Sequence, residues 1–331
     1  MTAKSAPDFH PTADWPRLRL RAQLLERLRA FFRARGFLEV ETPILSHDVV
    51  VDRHLDPFAT ILNADPRRPE AGERLYLQTS PEFAMKRLLA AGGAAIYQIT
   101  RAFRNGGERG RLHNPEFTIV EWYRVGDGLA DGMRFLSELG EALLSRGPAE
   151  LVSYRDAFER HVAVEPHTAS VEALVDAATR HKIAVPDALS HDRDGLLNLL
   201  LVELVEPHLG RGQPTILYDY PATQAALARV RDANSMPVAE RFELYVDGIE
   251  LANGYHELLE AAVLRERNAC ANQQRLADGK PPLEECSRLL AAMDAGLPPC
   301  AGVALGFDRA VMIAAGASRI DEVIAFPIER A

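Results

Sequence analysis

Two arginines stand where they could hold a triphosphate from opposite sides. Arg104 lies in Phe103-Arg104-Asn105, ahead of a Gly-rich loop, and His113-Asn114-Pro115-Glu116-Phe117 follows that loop. Arg309 closes Gly306-Phe307-Asp308-Arg309, after the strand-like run Val303-Ala304-Leu305. A guanidinium suits phosphate because it stays charged and offers forked donors. Gly106, Gly107 and Gly110 let the backbone come close to a ligand, and Arg109 and Arg111 add charge. An isolated loop of this composition is more often a solvated hairpin. The chain has no Gly-x-x-x-x-Gly-Lys-Ser/Thr and no strand-to-helix Gly-x-Gly-x-x-Gly, which excludes a P-loop and a Rossmann site.

An acidic segment, Glu250-Leu251-Ala252-Asn253-Gly254-Tyr255-His256-Glu257, is the second constellation. On a strand Glu250, Ala252 and Gly254 share one face and Leu251 and Asn253 the other. Glu257 could join Glu250 only if the chain bends at Gly254. Two carboxylates and an amide fit a divalent cation or a substrate ammonium group. For any one of these residues alone an exposed strand end is the favoured explanation, with Asn253-Gly254 then only a turn. In Gly302–Arg309 the small residues leave room for a ligand against a sheet. There Asp308 suits a helix cap, and Arg309 could be no more than its surface partner. His181-Lys182 and Glu284-Glu285 read as solvated helix faces.

These residues need a scaffold. Apolar residues at helical spacing predict a helix over 17–35, stopped by Gly36, and then a strand over 37–40 ended by Thr42-Pro43. A strand at 75–78 leads to Ser80-Pro81-Glu82, where Ser80 can cap, Pro81 suits the first turn and Glu82 complements the dipole. Segments 94–103 and 117–122 read as antiparallel strands flanking the Gly-rich loop. The stretch 128–212 reads as a mainly helical insertion. Strands follow at 242–246 and 249–251, helices at about 257–277 and 283–295, a strand at 302–305 and a helix at 308–315. This order predicts an α+β fold with an antiparallel sheet flanked by helices, as one domain over 17–331 behind a flexible arm, 1–16, that carries Pro7, Pro11 and Pro16.

The bulk properties limit the functions. With 331 residues and 47% hydrophobic content the chain can bury one large core or two modest ones. Its 38 Lys and Arg against 47 Asp and Glu give a net charge of −9, which argues against a surface built to grip nucleic acid. Cys270, Cys286 and Cys300 form no metal or disulfide framework, in keeping with a reducing cytoplasm. Neither a signal peptide nor a membrane span is apparent.

Taken in order, the segments resemble the catalytic domain of class II aminoacyl-tRNA synthetases, most closely the lysyl branch. Gly36-Phe37-Leu38-Glu39-Val40-Glu41-Thr42-Pro43 is similar to motif 1, Phe103-Arg104-Asn105 with His113 to Phe117 to motif 2, and Gly302 to Arg309 to motif 3. Thr79-Ser80-Pro81-Glu82 and Glu250 to Gly254 resemble the lysine-branch substrate segments. Motif 1 comes too early for the anticodon-binding OB domain of lysyl-tRNA synthetases. The chain thus resembles the truncated paralogues that ligate a lysine-type amino acid, (R)-β-lysine, to elongation factor P.

The resemblance implies ATP and Mg²⁺ as cofactors, a cytoplasmic homodimer through motif 1, and an aminoacyl-adenylate intermediate. Arg104 is implied at the α-phosphate, Arg309 at the γ-phosphate and Glu250 on Mg²⁺, these being the catalytic groups. Phe117 is implied to stack on adenine, with Asn105, His113, Asn114, Leu251 and Gly306 also at the nucleotide. Ser80, Pro81, Glu82, Tyr123, Asn253 and Glu257 are implied around the substrate's ammonium groups. Ala304 stands where lysyl synthetases have glycine, and its methyl narrows the pocket against an α-amino group. Gly106-Gly107 replace the glutamate that follows Arg-Asn in the branch, leaving Glu108 as the adenine-reading carboxylate from a shifted position. The alternatives left open are a truncated synthetase acting on tRNA or a tRNA-like RNA, and a catalytically inactive regulatory paralogue.

Overall fold

Long strands with one apolar and one polar face build the centre of the structure, a computed structural model that describes residues 9–107, 109–233 and 235–331. The N-terminal half runs α1 (Trp15–Ala34), β1 (Leu38–Glu39), β2 (Leu45–Ser46), β3 (Ala59–Leu62), β4 (Glu73–Leu77), α2 (Glu82–Ala90), β5 (Ala95–Phe103), β6 (Glu116–Val125), α3 (Leu129–Leu144), β7 (Glu150–Ser153) and α4 (Tyr154–His161). It continues through α5 (Val171–Arg180), α6 (Arg193–Leu200), β8 (Thr215–Pro221), β9 (Val230–Ala233), β10 (Met236–Val246), β11 (Ile249–His256), α7 (Ala261–Ala277), α8 (Arg288–Gly296), β12 (Cys300–Gly306) and α9 (Phe307–Ala314).

Nine strands form one sheet in the order β1-β5-β6-β12-β11-β10-β8-β7, with β9 paired to β10. Pairing is antiparallel throughout except at the two ends, where β1 joins β5 and β7 joins β8 in parallel. The α+β architecture with an antiparallel sheet flanked by helices is the one expected. β2, β4 and β3 form a separate small sheet. One face of the main sheet is sealed by α1, α3 and α9, through Leu28, Phe32, Leu136, Val120, Trp122, Phe242, Val303 and Phe307. The other face stays polar at its middle and carries the site.

The stretch expected as a helical insertion divides in two. α3 packs on the central core, whereas α4 to α6 gather around a second core that includes Phe158, Leu197 and Leu200 and borrows Leu217, Tyr220 and Tyr245 from the sheet. Gly36 has φ +76, and the Phe37 N–H donates to the Phe32 carbonyl at 3.1 Å, so the helix stop is the left-handed one expected. α1 starts earlier, at Trp15, because the Asp14 side chain caps it by accepting from the Arg17 N–H. Ahead of it, Thr12 is tied to the C-terminal segment: its N–H donates to the Ala325 carbonyl and its hydroxyl to that of Ile324.

Two helix boundaries differ from expectation. The helix expected from about 257 starts at Ala261, because β11 runs on to His256 and the Glu257 N–H still pairs with the Cys300 carbonyl across the sheet. The helix expected over 283–295 starts at Arg288, capped by Ser287. Ahead of it Asn272 exchanges two hydrogen bonds with the Leu283 backbone and donates to Glu285, which is therefore not on a helix.

Candidate active site

The floor of the site is read directly from strand register. Gln98, Glu121, Ala304, Asn253 and Glu243 lie side by side across β5, β6, β12, β11 and β10. The neighbouring rung is Ile96, Tyr123, Gly302, Tyr255 and Arg241. Residues two apart on a strand share a face, so both rungs look into the same cleft. Ala304 therefore sits between Glu121 and Asn253 with its methyl on the floor. A Cβ on Gly302 would lie 2.2 Å from both Glu257 Oε1 and Tyr123 Cε1, so only glycine leaves these two side chains their place.

Glu250 reaches this face by a device the alternation rule does not foresee. Leu244 pairs with Ala252 but Tyr245 pairs with Glu250, which makes Leu251 an extra residue, a β-bulge. Leu251 and Ala252 are consecutive yet both belong to the central core, and Gly254 faces Phe242 and Val303 there. Glu250 consequently shares its face with Asn253 and Tyr255, and not with Ala252 and Gly254 as the sequence suggested. Leu251 turns its side chain into the core and offers the cleft only backbone.

At one end of the cleft four ionisable groups are buried together. Lys86, on α2, is 1% exposed and puts Nζ 2.5 Å from Glu82 Oε1 and 2.5 Å from Glu257 Oε2. Glu121 is fully buried and accepts from the Ser80 hydroxyl at 2.5 Å and from the Tyr123 hydroxyl at 3.0 Å. Ser80 also accepts from the Glu82 N–H, so one hydroxyl meets the first residue of α2 and supports Glu121 at once; the N-cap position expected of it falls to Pro81. Burial, and then the nearby Glu82, push the Glu121 carboxyl up to about 8. Burial likewise pushes Glu257 up to about 8 despite Lys86. Burial works against the charge on Lys86, but Glu257 and Glu82 overcome it and hold the ammonium charged. Thr79 Oγ1 and Asn253 Oδ1 are buried beside this end without a hydrogen-bond partner among the described residues, as groups that meet a ligand would be.

The other end carries the arginines. Arg309 donates to the Glu250 carbonyl at 2.9 Å, lies 3.4 Å from Glu250 Oε2, donates to the Leu112 carbonyl and contacts His113 Nε2 at 2.7 Å. It thus ties the Gly-rich loop to β11. Arg104 lies with its guanidinium carbon 5.0 Å from the Phe117 ring centroid, and its Nε is buried without a partner among the described residues. The aromatic face expected to receive adenine is thus covered by the arginine expected at the α-phosphate. The closed cleft around Glu250, and then Glu243, raise its carboxyl above the usual range, although 39% of the side chain stays open. Glu243 itself accepts from Arg241, Tyr220 and Tyr245.

Several expected residues act through the fold. Asn114 donates to the Glu116 carbonyl and accepts from the Ile328 N–H, so it pins the C-terminal segment beside the loop. Asp308 does not cap α9; it is buried, paired with Arg21 and accepts from the Thr118 N–H. Pro81 occupies the N-cap of α2, and Gly306 that of α9, where its N-terminus meets β12. Asn105 exchanges backbone contact with Asp56, and Gly106 has φ +73 with Asp56 Oδ2 2.8 Å from where a Cβ would be. A glutamate at 106 would meet that carboxylate, which explains the glycine. Glu108 lies outside the described residues.

Sequence reasoning missed Lys86, Glu121, Glu243 and Tyr255. Lys86 follows Glu82 by four residues on a helix, a pairing spacing. Glu121 alternates with Tyr123, and Glu243 interrupts an apolar strand; a charge in such a run signals a paired group.

The comparisons with known proteins agree with this geometry. A family model described as "tRNA synthetases class II (D, K and N)" matches residues 13–330. A Klebsiella pneumoniae subsp. pneumoniae protein named elongation factor P–(R)-β-lysine ligase is 47% identical over 326 residues, 98% of each chain. A Salmonella arizonae protein of the same name is 46% identical over 323 residues, again 98% of each chain. Among the described residues no helix is long and apolar enough to cross a membrane. With the strand order, the three motif segments and these matches in agreement, the chain belongs to the class II tRNA synthetase family, in the group described for D, K and N.

Proposed function

We propose that this chain is an ATP-dependent, AMP-forming ligase that activates a lysine-type amino acid, (R)-β-lysine, and joins it to a lysine ε-amine of elongation factor P in the cytoplasm. The observation that carries the reading is the buried group of Glu82, Glu121 and Glu257 around Lys86, which sets three carboxylates against one ammonium. That excess of negative charge suits a substrate with two ammonium groups. The printed names of the relatives supply the acceptor and the β-lysine isomer.

In the first step a carboxylate oxygen of the amino acid attacks the α-phosphorus of ATP, and the bond to pyrophosphate breaks. Arg104 neutralises charge growing at the α-phosphate and Arg309 holds the γ-phosphate; fixed charges aimed at the transition state are the main contribution of the protein. For this Arg104 leaves the Phe117 ring, which then stacks on adenine, with Asn105, His113 and Gly306 at the nucleotide. In the second step the acceptor amine attacks the acyl carbon, AMP leaves with its phosphate oxygen, and the amine loses a proton to form the amide. Mg²⁺ suits Glu250 with Glu243, since their crowding raises Glu250 and a cation would relieve it. Among the described residues no group of three or more His, Cys, Asp or Glu side chains is placed to hold a metal alone, so phosphate oxygens would complete the shell. When bound, the ion would screen phosphate charge.

A homodimer through motif 1 is supported by β1, an edge strand whose Leu38 is 64% exposed. ATP–pyrophosphate exchange with α-lysine and (R)-β-lysine tests the activation step. Exchange with (R)-β-lysine is expected, and no exchange with either isomer rejects the reading.

A further inference from the structure

Lys86 is a cation the fold supplies inside the site meant for cations. Acidic groups face it from each packed element: Glu82 on its own helix, Glu121 and Tyr123 on β6, Tyr255 and then Glu257 at the end of β11, and Cys300 on β12, with the Ser80 hydroxyl against Glu121; the further cation beside Tyr255, Arg241, is itself paired with Glu243. With all three carboxyls ionised, three negative charges face one positive, a deficit of two. An uncompensated buried charge is costly, and such groups take up protons instead. The empty pocket leans that way, since burial pushes both Glu121 and Glu257 above the usual carboxylate range although Lys86 opposes it. A substrate with two ammonium groups brings the two missing charges.

We propose that Lys86 is a positioning residue that sets the charge deficit of this pocket at two, and that a diammonium substrate enters by displacing protons from its carboxyl groups into solvent. Each carboxyl that ionises gives its proton to buffer, and the carboxylate left behind accepts an N–H from the incoming ammonium; no other bond changes. The inference rests on the lysine-type reading of the pocket. Lys86 acts through Glu82 and Glu257, whose oxygens it holds in place.

Proton release is measured by titration calorimetry of the whole chain with L-lysine and (R)-β-lysine at pH 7, in two buffers of different ionisation enthalpy. Release above about half a proton per bound amino acid is expected at pH 7, growing smaller as the pH is raised toward 8 and the carboxyls ionise unaided. Smaller release with binding intact overturns the proposal. Absence of binding by either compound overturns the lysine-type reading instead. Lys86→Met should raise the pH midpoint of amino-acid affinity by about one unit or more, a tenfold loss of kcat/KM at pH 7, with KM for ATP unchanged. Lys86→Arg, which keeps the charge, should return the midpoint toward its original value. An unchanged midpoint in the methionine variant contradicts the role of Lys86. Should that variant not fold, Lys86→Gln carries the same expectation and the proton count stands on the unaltered chain.

Discussion

The two ends of the cleft are built on opposite terms. At the amino-acid end the charged groups are buried, in contact with one another, and held by strand register and by a helix cap. At the end proposed for the nucleotide Arg309 is shared between Glu250 and a Gly-rich loop, while Arg104 rests on an aromatic ring with one nitrogen unpaired among the described residues. The first end is preorganised and can discriminate, because every misplaced ammonium leaves a buried carboxylate unpaired. The second has to rearrange before it can bind. In the function we propose, selectivity thus resides in the closed pocket, and the open loop serves ATP.

Substitutions can break this contrast, beginning with the largest effect. Arg309→Ala should lower pyrophosphate exchange about 1000-fold with little change in thermal midpoint, since it removes a charge needed in the transition state. Near-normal exchange would remove Arg309 from its assigned role. Gly302→Ala should cost about 100-fold in kcat/KM for the amino acid while ATP affinity is kept, because the new Cβ displaces Glu257 and Tyr123. Equal losses for both substrates would show that the two ends are not independent. Gly106→Ala tests the converse. Its φ of +73 and the Asp56 carboxylate should make it about 1–2 kcal/mol less stable and several-fold weaker for ATP, with amino-acid affinity untouched. Ala304→Gly should have the smallest effect, a shift of roughly tenfold toward α-lysine over β-lysine, read from exchange rates. An unchanged ratio would mean that the methyl between Glu121 and Asn253 does not choose the isomer.

The same contrast explains what the sequence revealed. The helix stop at Gly36, the strands around the loop and Ser80-Pro81-Glu82 were legible because each rests on local chemistry. The arginines were legible because phosphate chemistry asks for that residue type. The direction of Glu250 was not, since a single extra residue at Leu251 inverts the face and nothing local announces a bulge. Glu121 and Lys86 were missed for a different reason. Their meaning depends on register between strands far apart in sequence and on a helix lying over them. The local reason for a glycine at 106 was hidden too, because Asp56, which lies against it, is 50 residues earlier in the chain.

The account stands or falls on the acceptor as well as the pocket. In the most direct test, purified chain, ATP and Mg²⁺ are incubated with elongation factor P and bulk tRNA, with (R)-β-lysine in one reaction and α-lysine in another, and both macromolecules are read by intact mass. The account predicts that elongation factor P gains the mass of one β-lysyl residue, and that α-lysine serves less well. Unmodified elongation factor P beside an aminoacylated tRNA in the same mixture would contradict it.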